Sequence, residues 1–122
     1  MGNSLYDRLG GETAIKKAVD IFYKHVMADQ RINHFFKGVD MKKLSRMQNA
    51  FLTTAFGGPN IYTGRALRAA HARLVQQGLN DSHFDAVLDD LTKTLKELNV
   101  SDNLIQEAVK IADSVRNDVL GR

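Results

Sequence analysis

The sequence has 122 residues, of which 43% are hydrophobic and 25% are charged, and its formal net charge is +3. These values are typical of one globular domain that is large enough to bury its own core. The absence of cysteine excludes disulfide frameworks, thiolate metal sites and thiol nucleophiles. No apolar run approaches the ~20 residues of a membrane-spanning helix, so we expect no membrane partner. The opening MGNSLYDRL lacks the pattern of a secretory signal, and we expect a cytoplasmic location.

The basic excess is spread over the whole chain. Lysines and arginines alternate with acidic residues, and no run of five like charges occurs. This pattern favours an ordinary solvated surface over a nucleic-acid footprint, and it would also suit a small anionic ligand.

The first third of the sequence predicts helices only. Apolar and polar residues seldom alternate, and β-branched residues do not cluster as they do in strands. A short helix is predicted from the N-cap candidate Ser4 to the pair Gly10-Gly11. A longer helix is predicted over 12–28, followed by a helical turn over 30–36.

Four further helices are predicted, over 40–56, 64–75, 81–98 and 102–120. Asp40 is the candidate N-cap of the first of these, and Gly57-Gly58 would end it. Asn80 or Asp81 would cap the third, and Ser101 would cap the fourth. The whole chain is therefore predicted to be all-α.

Residues 65–75, RALRAAHARLV, place a histidine on the apolar face of a predicted helix. Leu67, Ala70 and Leu74 share one face at three- and four-residue spacing, and His71 lies on the same face. The arginines of this stretch fall mostly elsewhere. The pattern therefore directs an imidazole toward the core.

Two other polar residues are also predicted to point inward. Gln48 lies in the middle of the apolar stripe of the helix over 40–56, and Tyr23 has the apolar helical neighbours Val19, Val26 and Met27. A buried amide without a hydrogen bond costs about 1–3 kcal/mol, and a buried tyrosine hydroxyl needs a partner. Each residue alone is more simply a satisfied core residue. Three such groups on three helices indicate a polar site inside an apolar core.

Other chemistries have little support. The four histidines do not show zinc-ligand spacing, and RLGGET lacks the Lys-Ser/Thr pair of a phosphate-binding loop. No flavin or nicotinamide motif is present.

Four stretches carry a specific resemblance: LYDRLGGETAI, DIFYKHVMADQRINHFFKGVDM, NAFLTTAFGGPNIYTGRALRAAH and HFDAVLDDLTKTLKELNV. These stretches contain two glycine pairs, a Phe-Tyr pair, a Phe-Phe pair and the helical histidine. In these features and their spacing, the sequence resembles the truncated haemoglobins of group I. The resemblance covers most of the chain. It implies a shortened globin fold, a two-over-two α-helical sandwich around haem b, with residues 1–122 as a single domain.

The resemblance also implies roles for individual residues. His71 matches the proximal histidine that binds the haem iron, which leaves one axial position open. Tyr23 and Gln48 match the distal residues that donate hydrogen bonds to the bound gas, and Leu44 matches the apolar residue at the usual distal-histidine position. The expected apolar contacts to the haem come from Phe22, Phe36, Phe51 and Leu67.

Two positions depart from some relatives. Met47 stands where those relatives place a histidine or lysine that occupies the sixth iron position. Methionine also ligates haem iron in cytochromes c, but packing beside the haem is the favoured role here. Val115 stands at or next to the position of a histidine that bonds covalently to the haem vinyl, so non-covalent haem is expected. The candidate cations for the haem propionates are Lys43, Arg46, Arg65 and Arg68.

Our first hypothesis is a haem protein that binds dioxygen, carbon monoxide and nitric oxide. Oxygen storage or transport and oxidation of nitric oxide to nitrate are both compatible with the resemblance. The oxidation needs an external reductase, and we expect a monomer without a nucleic-acid partner. The alternative is a haem-free helical module that binds a protein or nucleic acid through its basic surface. That alternative explains the charge but not the three inward polar residues.

Overall fold

The computed structural model describes residues 5–38, 40–56 and 64–122, without the side chains of 41, 54, 55, 64–67 and 70. Within these ranges the chain forms seven α-helices and one 3-10 helix, and no strand. The α-helices are α1 (Leu5–Arg8), α2 (Gly11–Ala28), α3 (Met41–Ala55), α4 (Gly64–Gln76), α5 (Asp81–Glu97), α6 (Asp102–Asp113) and α7 (Arg116–Val119). The 3-10 helix spans Asn33–Phe36, between α2 and α3. The predicted all-α class is confirmed.

A glycine pair forms the corner between α1 and α2. Gly10 has a φ of 111° and Gly11 a φ of 65°, and both values lie in the left-handed region that glycine adopts without a steric cost. A β-carbon at Gly10 would also lie 3.3 Å from the β-carbon of Ala14. The predicted end of the first helix at this pair is confirmed. Its predicted start at Ser4 lies outside the described residues, as does Gly57-Gly58.

Side chains cap α3 and α5 at their first turns. Asp40 accepts a hydrogen bond from the backbone N–H of Lys42 at 3.0 Å, before α3. Asn80 accepts one from the backbone N–H of Ser82 at 2.9 Å, before α5. Both predicted caps are confirmed. Ser101 occupies the N-cap position of α6, but its side chain makes no capping hydrogen bond.

The single helix predicted over 102–120 is wrong, because α6 ends at Asp113 and α7 begins at Arg116. The hydroxyl of Ser114 donates to the carbonyl of Ile111 and so competes with the backbone for helical hydrogen bonding. The guanidinium of Arg116 binds the carboxylates of Asp81, at 3.0 Å, and Asp113, at 2.7 Å. These contacts tie the end of the chain to the start of α5 where the helix is interrupted.

Four helices form the two layers of the core. α2 packs against α3 and α5, and α6 packs against α3 and α5, whereas α4 packs against α7. The two-over-two α-helical sandwich is thus confirmed, with α4 beside it. The buried core includes Ile15, Ala18, Val26, Leu52, Phe56, Ala86, Leu91, Leu95, Ile105, Ala108 and Ala112. In the described part of the chain, no helix is both long and apolar enough to cross a bilayer.

Candidate functional site

A deep apolar cleft lies between the sandwich and α4. It encloses about 1070 Å³, including the part open to solvent. Nearly all the side chains that line it are apolar. They come from α2, the 3-10 helix, α3, α4, α5 and α7, and from Ile32, Leu79 and Val115 between these helices. The sequence-predicted residues that line it are Phe22, Phe36, Leu44, Met47, Gln48, Phe51 and His71. An apolar cleft with few polar groups is the usual form of a cofactor or small-ligand site.

Gln48 is the polar group of this cleft that most needs a ligand. The residue is 5% exposed, and neither its Nε2 nor its Oε1 has a hydrogen-bond partner among the described residues. α3 directs it inward because Leu44 and Leu52, one turn away on either side, are both buried in the core. An unpaired buried amide costs about 1–3 kcal/mol, and a polar ligand in the cleft would remove that cost.

His71 reaches the cleft from the opposite helix. It is partly buried on α4, and Leu74, one turn later, lines the same cleft. α4 therefore presents an imidazole and an apolar side chain side by side, as its spacing predicted. Imidazole is a common ligand of transition metals and the usual proximal ligand of haem iron in globins.

Two stacked phenylalanines join α2 to α3 in the cleft wall. The ring centroids of Phe22 and Phe51 are 5.7 Å apart, and the ring planes are inclined by 21°. Phe22 is 3% exposed, whereas Phe51 is partly buried. Offset stacking of this kind holds the two rings in place and gives the cleft a flat apolar surface.

Two predicted site residues do not join this group, and the structure does not describe the side chain of a third. Tyr23 follows Phe22 on α2 and is partly buried, but it is not among the described residues that line the cleft. Lys43 is exposed on α3, also outside the lining. The side chain of Leu67 lies outside the described residues, as does that of Arg65.

The other candidate propionate cations have different surroundings. Arg46 is exposed on α3 and borders a shallow surface depression with Asp40 and Ser45. Arg68 binds Asp118 at 3.1 Å and donates to the carbonyl of Arg122 at 2.6 Å. Arg68 therefore ties α4 to the end of the chain.

The prediction did not include the contribution of α5 to the cleft. His83, Phe84 and Val87 line it. Their three- and four-residue spacing predicts one face of a helix. Nothing in the sequence distinguishes a face that lines a cleft from a face that is packed in the core. Val115 and Val119 complete the wall at the end of the chain.

Comparison with known proteins decides the family. The bacterial-like globin family matches residues 4–120. A group 1 truncated haemoglobin of Synechocystis sp. is 50% identical over 123 residues, which cover 98% of this chain and 99% of that protein. This chain belongs to the group I truncated haemoglobins. A second truncated haemoglobin of this group, from Tetrahymena pyriformis, is 47% identical over 119 residues, covering 98% of this chain and 96% of that protein.

Solved truncated haemoglobin structures share the fold over nearly the whole chain. The globin of Synechococcus sp. PCC 7002 with a haem modification has a TM-score of 0.87 and 52% identity, covering 98% of this chain and 99% of that one. The Fe(III) truncated haemoglobin of Tetrahymena pyriformis has a TM-score of 0.85 and 46% identity, covering 98% of this chain and all of that one. The Synechococcus protein has also been solved with covalently attached haem.

The cofactor of this truncated haemoglobin is haem, and its general activity is the binding of diatomic gases. The cleft suits that cofactor: its walls are apolar, it contains an imidazole, and it holds the unpaired amide of Gln48. Val115 lines the cleft, and no histidine follows His83 in the sequence. A non-covalent haem is consistent with both observations.

Proposed function

We propose that this truncated haemoglobin reversibly binds dioxygen, carbon monoxide and nitric oxide at a haem whose iron is ligated by His71. The observation that carries the proposal is the unpaired amide of Gln48, buried in the apolar cleft that His71 also lines. A buried polar group without a protein partner is explained by a ligand that binds reversibly in the cleft and forms a hydrogen bond with that group.

Haem bound in the cleft would supply an iron that can bind a diatomic gas. His71 is the protein ligand in this proposal and anchors the cofactor to α4. Gln48, on α3, has an N–H donor for the side of a gas molecule that gains negative charge on binding. Hydrogen bonds to such a developing charge are strong in a water-excluded site.

Tyr23 is proposed as the second donor. It lies on α2 next to Phe22, whose ring forms part of the cleft wall. A phenol hydroxyl is a strong hydrogen-bond donor. Tyr23 follows Phe22 directly in the sequence, so its ring begins beside a residue of the cleft wall. For this role the hydroxyl must turn toward the gas when haem and gas are in the cleft. Side-chain rotations of this kind are common when a ligand binds.

The apolar walls have a separate task. Phe22, Leu44 and Phe51 exclude water from the side of the cleft where Gln48 lies. Met47 lines the same wall, and we propose that it packs beside the haem. Exclusion of water lengthens the lifetime of a bound gas because each hydrogen bond inside the cleft has less competition from solvent.

We further propose that any oxidation of nitric oxide to nitrate uses an external reductase in the cytoplasm. Dioxygen and nitric oxide need one electron to yield nitrate, and the sequence contains no flavin or nicotinamide motif that would deliver it. We propose that the protein acts as a monomer without nucleic acid.

Absorption spectra of the purified protein test the proposal. We expect an intense band near the violet edge that survives desalting, and changes in the ferrous spectrum on adding oxygen and carbon monoxide. His71→Leu should abolish or strongly weaken haem retention. A colourless protein that takes up no added haem would disprove the proposal and favour the haem-free helical module.

A further inference from the structure

A third polar side chain lines the haem cleft. Besides Gln48 and His71, the only polar residue among its described lining residues is His83, at the start of α5. Its neighbours in the lining, Leu79 and Phe84, are apolar. The gas-binding proposal assigns it no role.

The hydrogen bonding of His83 determines where its ring proton lies. The backbone N–H of Asn80 donates to Nδ1 of His83 at 3.0 Å, so Nδ1 acts as an acceptor. A neutral imidazole that accepts at Nδ1 carries its proton on Nε2. In this tautomer Nε2 has no free lone pair, so it cannot bind iron and is a donor instead.

The ring of His83 also contacts two neighbouring rings. The ring of Phe35 lies edge-on to it, with centroids 4.9 Å apart and planes at 82°. The ring of His34 lies 6.0 Å away at 73°. Asn80 in turn caps α5 through Ser82, so the donor is built into the first turn of a helix. A donor that is fixed in advance loses little conformational entropy on binding.

We propose that His83 is a carboxylate-binding residue of the haem cleft, which donates its Nε2–H to a carboxylate of the haem. This inference rests on haem binding in the cleft. A haem carries two carboxylate side chains, and an apolar cleft offers them few partners. Lys43 and Arg46 are exposed and Arg68 is engaged by Asp118. Gln48 and His71 are assigned to the gas and the iron, which leaves His83 as the remaining polar donor among the described lining residues.

The test compares two haems and three substitutions. His83→Gln and His83→Glu both retain an acceptor at the third residue of α5, where glutamine and glutamate complete a capping box. Glutamine also keeps an N–H donor, whereas glutamate replaces it with a negative charge. The matched control is His25→Gln, because His25 binds Glu97 at 2.7 Å and is outside the cleft lining. Each protein is loaded with protohaem or with protohaem dimethyl ester, whose carboxylates are esterified.

Haem loss to an excess of a haem-accepting apoprotein is the readout. We expect His83→Glu to lose protohaem at least about 10-fold faster than wild type, the size expected for one lost hydrogen bond to a charged group. His83→Gln and His25→Gln should stay within about 3-fold of wild type. With the dimethyl ester, the difference between His83→Glu and wild type should disappear.

A measurement on wild type alone removes any dependence on how the variants fold. In nitrogen-15 NMR, the Nε2–H of His83 should exchange with solvent clearly more slowly with protohaem than with the dimethyl ester, whose uncharged oxygens are weaker acceptors. Equal protection with both haems, or faster haem loss from His83→Glu that persists with the ester, would overturn the proposal. Failure of wild type to take up either haem would overturn the gas-binding function as well.

Discussion

The carboxyl group of Asp90 on α5 lies beside the carboxylate of Asp29, at the end of α2, so the two groups can share a proton. Asp90 is 1% exposed, and burial together with Asp29 raises its pKa to about 7. Arg31 donates to both oxygens of Asp29, at 2.9 and 2.8 Å, and holds the pKa of Asp29 well below its usual range. Arg31 also binds Asp89 at 3.1 Å, and Lys93 lies close enough to favour the charged form of Asp90. The proton shared by Asp90 and Asp29 therefore links α5 to the end of α2.

This pair predicts a pH-dependent stability. Because the pKa of Asp90 is higher in the folded protein than its ordinary 3.8, its contribution is fully present below about pH 4 and is lost as the pH rises through 7. Asp90→Asn keeps a donor to Asp29 and does not titrate. We expect the free energy of unfolding of Asp90→Asn, relative to wild type, to be higher at pH 8 than at pH 5 by about 2 kcal/mol.

Urea unfolding at the two pH values measures this difference. Asp89→Asn is the control, because Asp89 is exposed and forms an ion pair with the same arginine, Arg31. If the difference between Asp90→Asn and wild type is the same at pH 5 and pH 8, then Asp90 carries no proton at neutral pH.

A second prediction concerns the iron ligand. His71→Leu removes the proposed protein bond to iron but leaves the apolar wall formed by Leu74. We expect haem to dissociate readily, measured as transfer to an apoprotein acceptor. His25→Leu is the control, because His25 binds Glu97 at 2.7 Å, away from the cleft lining. A normal carbon monoxide spectrum and unchanged haem affinity in His71→Leu would refute the assignment.

A third prediction concerns the retention of oxygen. Tyr23→Phe keeps the ring and removes one donor, and a hydrogen bond to a charged acceptor contributes about 1.5–3 kcal/mol. If this full amount appears in the dissociation barrier, oxygen should leave roughly 10- to 150-fold faster. Carbon monoxide is much less polarised, so its dissociation should hardly change. Equal oxygen release in Tyr23→Phe and wild type, by stopped flow, would show that the hydroxyl points elsewhere.

Gln48→Leu tests the second donor and its coupling to the first. This change removes an unpaired buried amide, so the free protein should gain stability while oxygen release becomes faster. The effect on oxygen release should be smaller than that of Tyr23→Phe if Gln48 mainly orients the tyrosine hydroxyl. The double variant should then fall short of the sum of the two effects, because both residues serve one network. A full sum would mean that they act independently.

A fifth prediction separates packing from ligation at Met47. Met47→Leu nearly conserves volume and should cost less than about 1.5 kcal/mol of unfolding free energy. If Met47 only lines the cleft wall, the ferrous absorption spectrum should stay almost unchanged. A change from low-spin to high-spin iron on this substitution would instead identify Met47 as a ligand.

Most of the fold was predictable because its determinants are local. Asp40 and Asn80 cap their helices through bonds to residues two positions later, and Gly10-Gly11 ends a helix through its own backbone angles. The break between α6 and α7 was not predicted because it depends not only on the local hydroxyl of Ser114 but also on the ion pair of Arg116 with Asp81, 35 positions earlier in the chain.

By itself, the sequence determined the helical periodicity and, through it, that His71 and Gln48 point to the apolar side of their helices. The tertiary structure decided which of these faces meet. It brought α5 into the cleft wall and placed His83 there, which no spacing within one helix could indicate. The reason is physical: periodicity depends on 3.6 residues per turn, whereas a cleft depends on how distant helices pack.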